Sequence, residues 1–260
     1  MKILAINGSY RGEKGHTSAF LELLFSGARE AGAECEEIAL SKVKINRCLG
    51  CDTCHTPEHY LNCVYSDKDD VAIIFEKIAA ADVLIYATPV YIFGISSLLK
   101  SFLDRLYGIS DVYKMCVTHS GLMFHHVEQA VCSKPFVSLV CCDNMEDLTP
   151  QNVQDYFRNF SKFMDAQRVG VLTRNYVLFF ENAQRPGINE KFPKMTDVTE
   201  AYKQAGRELA VSGRIQRRTQ KRANQEIIPI PLFNLLKRVR KIKPIMIQKA
   251  KEMLPGILHD

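Results

Sequence analysis

Five short apolar runs, each followed by a stretch with helical periodicity, constrain this chain more than any other feature. They are Lys2–Asn7, a weaker run at Glu37–Leu40, Val83–Ala87, Pro135–Cys142 and Val169–Thr173. Between them apolar residues recur every three or four positions, as in Phe20, Leu23, Leu24 and Ala28, or Val71, Ile74, Phe75 and Ile78. The same spacing marks Leu98, Leu99, Phe102, Leu103 and Leu106, then Val153, Tyr156, Phe157, Phe160 and Met164, and finally Val198, Ala201, Tyr202, Ala205 and Leu209. Continuous apolar strands belong to sheets buried on both faces, and parallel neighbours require crossover helices. The expected architecture is therefore α/β: a doubly wound, five-stranded parallel sheet with helices on both faces.

Punctuation residues support these boundaries. Gly32 closes the first helix, and Asp67, Asp69 and Asp70 cap the second. Pro89 is expected to break the third strand. Thr149 followed by Pro150 reads as a cap with proline at the first helical position, and the last helix is expected to be capped near Thr196 or Asp197. Tyr107–Ser133 is longer than an ordinary connection and predicts a lid or an interface element.

The charge is unevenly distributed. Residues 214–260 hold 12 Lys or Arg against 3 Asp or Glu, whereas residues 1–213 hold 22 against 26. This predicts a main domain over residues 1–213 and a basic amphipathic C-terminal extension over 214–260, whose partner is anionic or is the acidic body itself. Within the extension, Ile227–Leu236 is mainly apolar and Lys237–Lys243 is cationic, a pairing found in peripheral membrane helices. A solvated or self-docking extension is the default reading. Without aromatic interleaving or a nucleic-acid motif, no nucleic-acid partner is expected. The apolar run after Lys2 is too short for a signal peptide, and nowhere do about 18 apolar residues run together. A cytoplasmic protein with reduced thiols is expected.

Ligands of open parallel sheets lie beyond the carboxyl ends of the strands. The loop after the first strand, Gly8–Ser18, places hydroxyls, Arg11 and backbone N–H groups at a helix start, where a monophosphate fits. It is neither a GxGxxG turn nor a GxxxxGK[ST] loop. A ligand-free glycine turn with a Ser/Thr cap is the alternative. After the third strand, Thr88–Gly94 brings Tyr91 and Phe93 beside backbone donors, so that either a planar ring stacks there or both aromatics enter the core.

Ile6-Asn-Gly-Ser9 with Arg11, Thr17 and Ser18, then Thr88-Pro-Val-Tyr91, then Leu99-Lys-Ser-Phe-Leu-Asp-Arg105, together resemble the NADPH-dependent FMN reductase family of flavodoxin-like proteins, in particular its iron–sulfur flavoprotein branch. The resemblance covers roughly residues 1–175 and implies a flavodoxin-like fold that binds FMN. It implies that Ser9, Arg11, His16, Thr17 and Ser18 hold the phosphate, and that the flavin ring lies against Pro89, Val90, Tyr91, Ile92, Phe93 and Gly94. Cys142, Asp143 and Asn144 would face the same ring by position. His16 stands where the family usually has asparagine.

Four cysteines follow the second strand: Cys48-x2-Cys51-x2-Cys54, then Cys63. Four thiolates are the ligand set of a [4Fe–4S] cluster, and the compact first three resemble the iron–sulfur flavoprotein motif. Tetrahedral zinc and ordinary reduced thiols are the alternatives. Cys35, Cys116, Cys132 and Cys141 are expected to be buried small apolar residues. His119, His125 and His126 read as solvated or interface histidines.

The reading that follows is an FMN-dependent NAD(P)H oxidoreductase that delivers electrons, with or without a [4Fe–4S] cluster, to a small-molecule or protein acceptor. Family resemblance favours a homo-oligomer, a dimer or tetramer. No side chain is assigned an obligatory catalytic role, because the cofactor carries the chemistry. The rival is a flavodoxin-like electron-transfer protein that serves a partner redox enzyme and turns over little NAD(P)H.

Overall fold

A computed structural model describes residues 1–181, 190, 192–228, 230 and 232–253. Its main sheet runs through β1 (Lys2–Asn7), β2 (Glu34–Ala39), β3 (Val83–Tyr91), β7 (Phe136–Cys141) and β8 (Arg168–Arg174), in the order β2-β1-β3-β7-β8. All pairs along this path are parallel. This is the flavodoxin-like doubly wound arrangement, whose strand order reverses between β1 and β3. A two-residue strand, β4 (Gly94–Ile95), folds back antiparallel on the end of β3.

Alternation along each strand divides the core into two layers. Ile3, Ala5, Val83, Ile85, Val137 and Leu139 face one layer with α1 (His16–Glu30) and the later helix α7 (Lys194–Ser212). Leu4, Ile6, Leu84, Tyr86, Phe136 and Val140 face the other, with α2 (Val71–Ala80), α3 (Ser97–Asp104) and α5 (Leu148–Phe163). Both faces of the strands are thereby kept from water, which explains their uninterrupted apolar sequences.

α1 and α7 touch backbone to backbone. A Cβ added at Gly27 would lie 1.8 Å from the Lys203 carbonyl oxygen, and one at Gly206 would lie 1.9 Å from that of Leu24. Only glycine permits this approach.

Several boundaries differ from the sequence expectations. β3 does not stop at Pro89: the proline pairs in register with Cys141, and Val90 and Tyr91 then pair with β4. Proline is tolerated there because it sits at the end of the parallel ladder, where one fewer donor is needed. α5 begins at Leu148 with Asp147 as its N-cap, which puts Pro150 inside the first turn, where its missing N–H removes no intrahelical bond. The segment Tyr107–Ser133 is largely a hairpin of β5 (Ser110–Val117) and β6 (Met123–Val127), followed by the short α4 (Gln129–Cys132). Cys132 and Cys141 are buried as expected, but Cys116, on the hairpin, is exposed and Cys35 is half-buried. Both lie on peripheral strands with one face open, so a short apolar side chain there need not meet a packing partner.

After α6 (Val177–Glu181) and α7, the chain continues through α8 (Arg217–Ala223), α9 (Phe233–Leu236) and α10 (Lys243–Met253). Ile215, Ala223, Ile227 and Phe233 are buried in the same layer as α1. Three cations of the basic stretch sit on carboxylates of the body: Arg222 on Asp197, Lys237 on Asp147 at 2.8 Å, and Lys243 on Glu146. Residues 229, 231 and 254–260 of that stretch lie outside the described residues. Among the described residues no helix is long and apolar enough to cross a membrane.

Candidate functional site

The loops after β1, β3 and β7 converge at the carboxyl edge of the sheet. At the end of β1, Gly8 donates its N–H to the Ala87 carbonyl at 2.8 Å. A Cβ at Gly8 would lie 2.5 Å from Ser96 Oγ and 2.7 Å from Leu99 Cβ, so this glycine lets the first loop press against the start of α3. Asn7 is fully buried: its Oδ1 accepts from Ser9 N at 2.9 Å, and its Nδ2 donates to Glu37 at 2.7 Å. Ser9 Oγ in turn accepts from Arg11 N at 3.3 Å. α1 then starts after Gly15, which has no side chain to cap it. A helix start with no side-chain cap is the arrangement that suits an anion.

The expected phosphate residues divide into two groups. Ser9, Arg11 and His16 line the loop, with Arg11 Nη1 3.4 Å from His16 Nε2. Thr17 and Ser18 are buried beneath it. Ser18 donates its hydroxyl to Glu37 at 2.7 Å, leaving its backbone N–H as the group available at the helix start. Glu37 thus ties β1, β2 and α1 together. Sequence reasoning missed it because a strand glutamate reads as a solvated residue.

Pro89 and Val90 are half-buried, while Tyr91, Ile92 and Phe93 project into solvent, Ile92 being 91% exposed. Ile92 and Phe93 form the tip of the β3–β4 hairpin with φ of 43° and 64°. A two-residue turn of this kind normally uses asparagine and glycine, and each non-glycine residue held there costs about 1–2 kcal/mol. Asn152 steadies the tip by donating to the Phe93 carbonyl at 2.7 Å. Gly94 itself is in ordinary backbone conformation and begins β4. Tyr10, which sequence reading left aside, joins the first two loops: its hydroxyl is 2.8 Å from Ser97 Oγ and its ring 6.4 Å from that of Tyr91.

The third loop closes the edge. Burial pushes the Cys141 thiol up to about 12, opposed by a hydrogen bond with Thr17, which brings the end of β7 against the start of α1. Burial likewise pushes Cys142 up to about 11, and its Sγ lies 3.2 Å from Asn175 Oδ1. Asp143 and Asn144 are exposed: Asp143 accepts from Leu178 N in α6 at 2.9 Å, and Asn144 holds a local turn by accepting from Glu146 N at 2.8 Å.

The four spaced cysteines form a second region. Cys48, Cys51, Cys54 and Cys63 line one pocket with Asp52, Tyr65, Arg105, Tyr107 and Gly108. Left-handed backbone at Gly50, Asp52 and Leu61 turns the loop repeatedly. Gly50 N lies 3.5 Å from Cys48 Sγ, and Thr53 Oγ1 lies 3.4 Å from Cys51 Sγ; the Thr53 hydrogen bonds lower the Cys51 pKa. Burial, reinforced by the neighbouring thiols, raises that of Cys54. The segment after α3 clamps this loop. Tyr107 donates to Asp52 at 2.8 Å, His55 Nε2 meets the Ser110 carbonyl at 3.0 Å, and Arg105 forms a fully buried ion pair with Asp69. Among the described residues, no three His, Cys, Asp or Glu side chains converge tightly enough for a single metal ion. His119 and His126 are exposed and His125 is half-buried against Phe124.

Comparison with known proteins agrees with this arrangement. The NADPH-dependent FMN reductase family matches residues 1–128. An iron–sulfur flavoprotein of Archaeoglobus fulgidus is 36% identical over 105 residues, covering 40% of this chain and 48% of the relative. One of Methanocaldococcus jannaschii is 36% identical over 105 residues, covering 40% of this chain and 51% of the relative. The chain thus spans about half the length of the curated relatives it matches. Among solved structures, an FMN-dependent NADH-azoreductase from Bacillus anthracis in complex with FMN superposes with a TM-score of 0.54 at 12% identity, over 80% of this chain and 99% of that one, a likeness of fold. Residues 1–128, which carry both the glycine loop and the cysteine pocket, are thus similar to the NADPH-dependent FMN reductase family.

Proposed function

We propose that this protein is an FMN-dependent NAD(P)H oxidoreductase that passes electrons from a reduced nicotinamide to a small-molecule or protein acceptor, with a [4Fe–4S] cluster at the four cysteines as a second redox centre. FMN, when bound, supplies hydride acceptance and onward electron delivery. The observation that carries the reading is the meeting of three loops where the strand order reverses: an uncapped helix start, a hairpin with exposed Tyr91 and Phe93, and the turn at Cys142–Asn144. The residues fit the cofactor. A Cβ at Gly15 would lie 2.6 Å from Ser9 Oγ, so the cradle exists only because that position lacks a side chain. Ser9, Arg11 and His16, with the amides of Thr17 and Ser18, would bind the phosphate, and Pro89–Gly94 with Cys142, Asp143 and Asn144 would orient the ring and shield it from water.

The cysteine pocket has the donor set a cluster takes: four thiols, Cys48, Cys51, Cys54 and Cys63, line one pocket, and four thiolates are the ligands of a [4Fe–4S] cube. α3, about 12 Å long, runs from the hairpin to the pocket and holds the two regions at a set separation. A cytoplasmic homo-oligomer, dimeric or tetrameric, completes the proposal.

Anaerobic purification, followed by an absorbance spectrum, analysis of released flavin, iron and sulfide, and steady-state NADH and NADPH oxidation tests it. Bound FMN with turnover is expected. Protein that stays colourless in the presence of FMN would refute it, and flavin without nicotinamide turnover would put the electron-carrier reading in its place.

A further inference from the structure

Arg105 is the first residue after α3 and is 3% exposed. Its Nη1 donates to Asp69 Oδ2 and to the Asn46 carbonyl, the latter at 2.9 Å, and its guanidinium lies over the Tyr65 ring at 5.6 Å. Asp69 is itself fully engaged, accepting from Asn46 N at 2.9 Å and Val71 N at 3.2 Å. The guanidinium is therefore held from one side by a carboxylate that has no freedom to move. Its Nε–H, by contrast, is buried and without an acceptor; among the described residues only the Tyr202 hydroxyl shares that condition. Such a donor is costly unless something accepts from it. Arg105 lines the pocket of Cys48, Cys51, Cys54 and Cys63, so the acceptor it lacks is one that the thiolates, or sulfide bound among them, would supply.

Resting on the cluster reading above, we propose that Arg105 is the tuning residue of the iron–sulfur site, its buried Nε–H donating to a sulfur of the bound cluster. A cluster with four thiolate ligands is anionic, and reduction adds a further negative charge. A buried cation and an N–H···S bond favour the reduced form and raise the potential. The Asp69 pair fixes which edge of the guanidinium faces the sulfurs. Asn46 ties the same group to the chain just ahead of Cys48, so that pocket and donor are placed together.

The test compares the reconstituted wild-type protein with Arg105→Lys, which keeps the positive charge opposite Asp69 but has no Nε–H. Iron and sulfide content and a poised redox titration followed by electron paramagnetic resonance are measured on each. The variant should keep its flavin, and at a fixed potential its ratio of reduced to oxidised cluster should fall about tenfold, as for loss of one hydrogen bond to a charged group. Because the substitution sits in a buried pair, a second measurement uses only the wild-type protein: pulsed paramagnetic resonance of the reduced cluster with and without [15N]arginine. A nitrogen coupling that changes with the label supports the contact. Equal potentials in a loaded variant, or no label-dependent coupling, overturn the tuning role alone. A wild-type protein that takes up no iron or sulfide overturns the cluster reading, and the tuning role with it.

Discussion

The carboxyl-edge loops and the cysteine pocket are held by different forces. The edge loops grow directly out of β1, β3 and β7, whose residues from Ile3 to Ile6, Val83 to Ala87 and Phe136 to Cys141 are almost wholly buried. Their positions are settled by the same packing that makes the sheet. The cysteine loop has no strand of its own and is fastened by side chains, chiefly Tyr107, His55 and Arg105. A site of the first kind is lost only with the fold; one of the second kind can loosen while the sheet stays intact.

The largest expected contrast is in thiol chemistry on cofactor-free protein. Burial lifts Cys141 from an ordinary 9.0 to about 12, so its thiolate fraction at any pH below both values falls about a thousandfold. Exposed Cys51 shifts the other way. Alkylation mapped by mass spectrometry at pH 8 should label Cys51 and exposed Cys116 first, and Cys132, Cys141 and Cys142 only after denaturation. Early labelling of Cys141 would show that the edge is not packed as described.

Next in size, Asp69→Asn strands a buried guanidinium, and breaking such a pair costs about 3–5 kcal/mol. Urea unfolding should show this loss. If the pocket is an independent attachment, proteolytic cutting between residues 46 and 66 should precede the main transition. Gly8→Ala acts on the other region: its Cβ meets Ser96 and Leu99 inside contact distance, and overpacking of this sort costs about 1–3 kcal/mol. Thermal melting should report that loss together with weaker FMN binding in a fluorescence titration. Unchanged flavin affinity would separate the first loop from the cofactor. Smallest is Tyr107→Phe, which deletes the bond to a largely exposed Asp52 and costs about 1 kcal/mol or less. Faster amide exchange confined to residues 48–56 is its expected signature.

The difference between the two regions also explains what could be read beforehand. Strands such as Lys2–Asn7 were legible because burial on both faces demands an unbroken apolar run, and the helices between them because one face must be apolar. The three edge loops followed from the strands that carry them. Pro89 misled because a proline's effect depends on whether its neighbour needs a donor at that step of the ladder, which is a tertiary fact. The hairpin over Ser110–Val127 was hidden because its outer residues, including Tyr113 at 72% exposure and Met115 at 69%, do not alternate apolar with polar. The cysteine spacing was plain, but the clamp around it was not: Asp69 reads as a helix cap and Arg105 as the end of the Leu99–Arg105 motif, and nothing in the sequence brings either, or Tyr107, to Cys48. Glu37 escaped notice because a strand glutamate reads as a solvated residue.

The bare-backbone crossing of Gly27 with Gly206 has a consequence for how the molecule can be divided. Just under half of the chain carries the family match, yet α7, well beyond residue 128, is wedged without any side chain between it and the carboxyl-terminal half of the helix whose first turn fronts the glycine loop. That wedge serves as a backrest for the cradle. A fragment trimmed to the matched portion would lose this backrest together with β7 and β8, so the first two loops would keep all their residues and lose the frame that aims them.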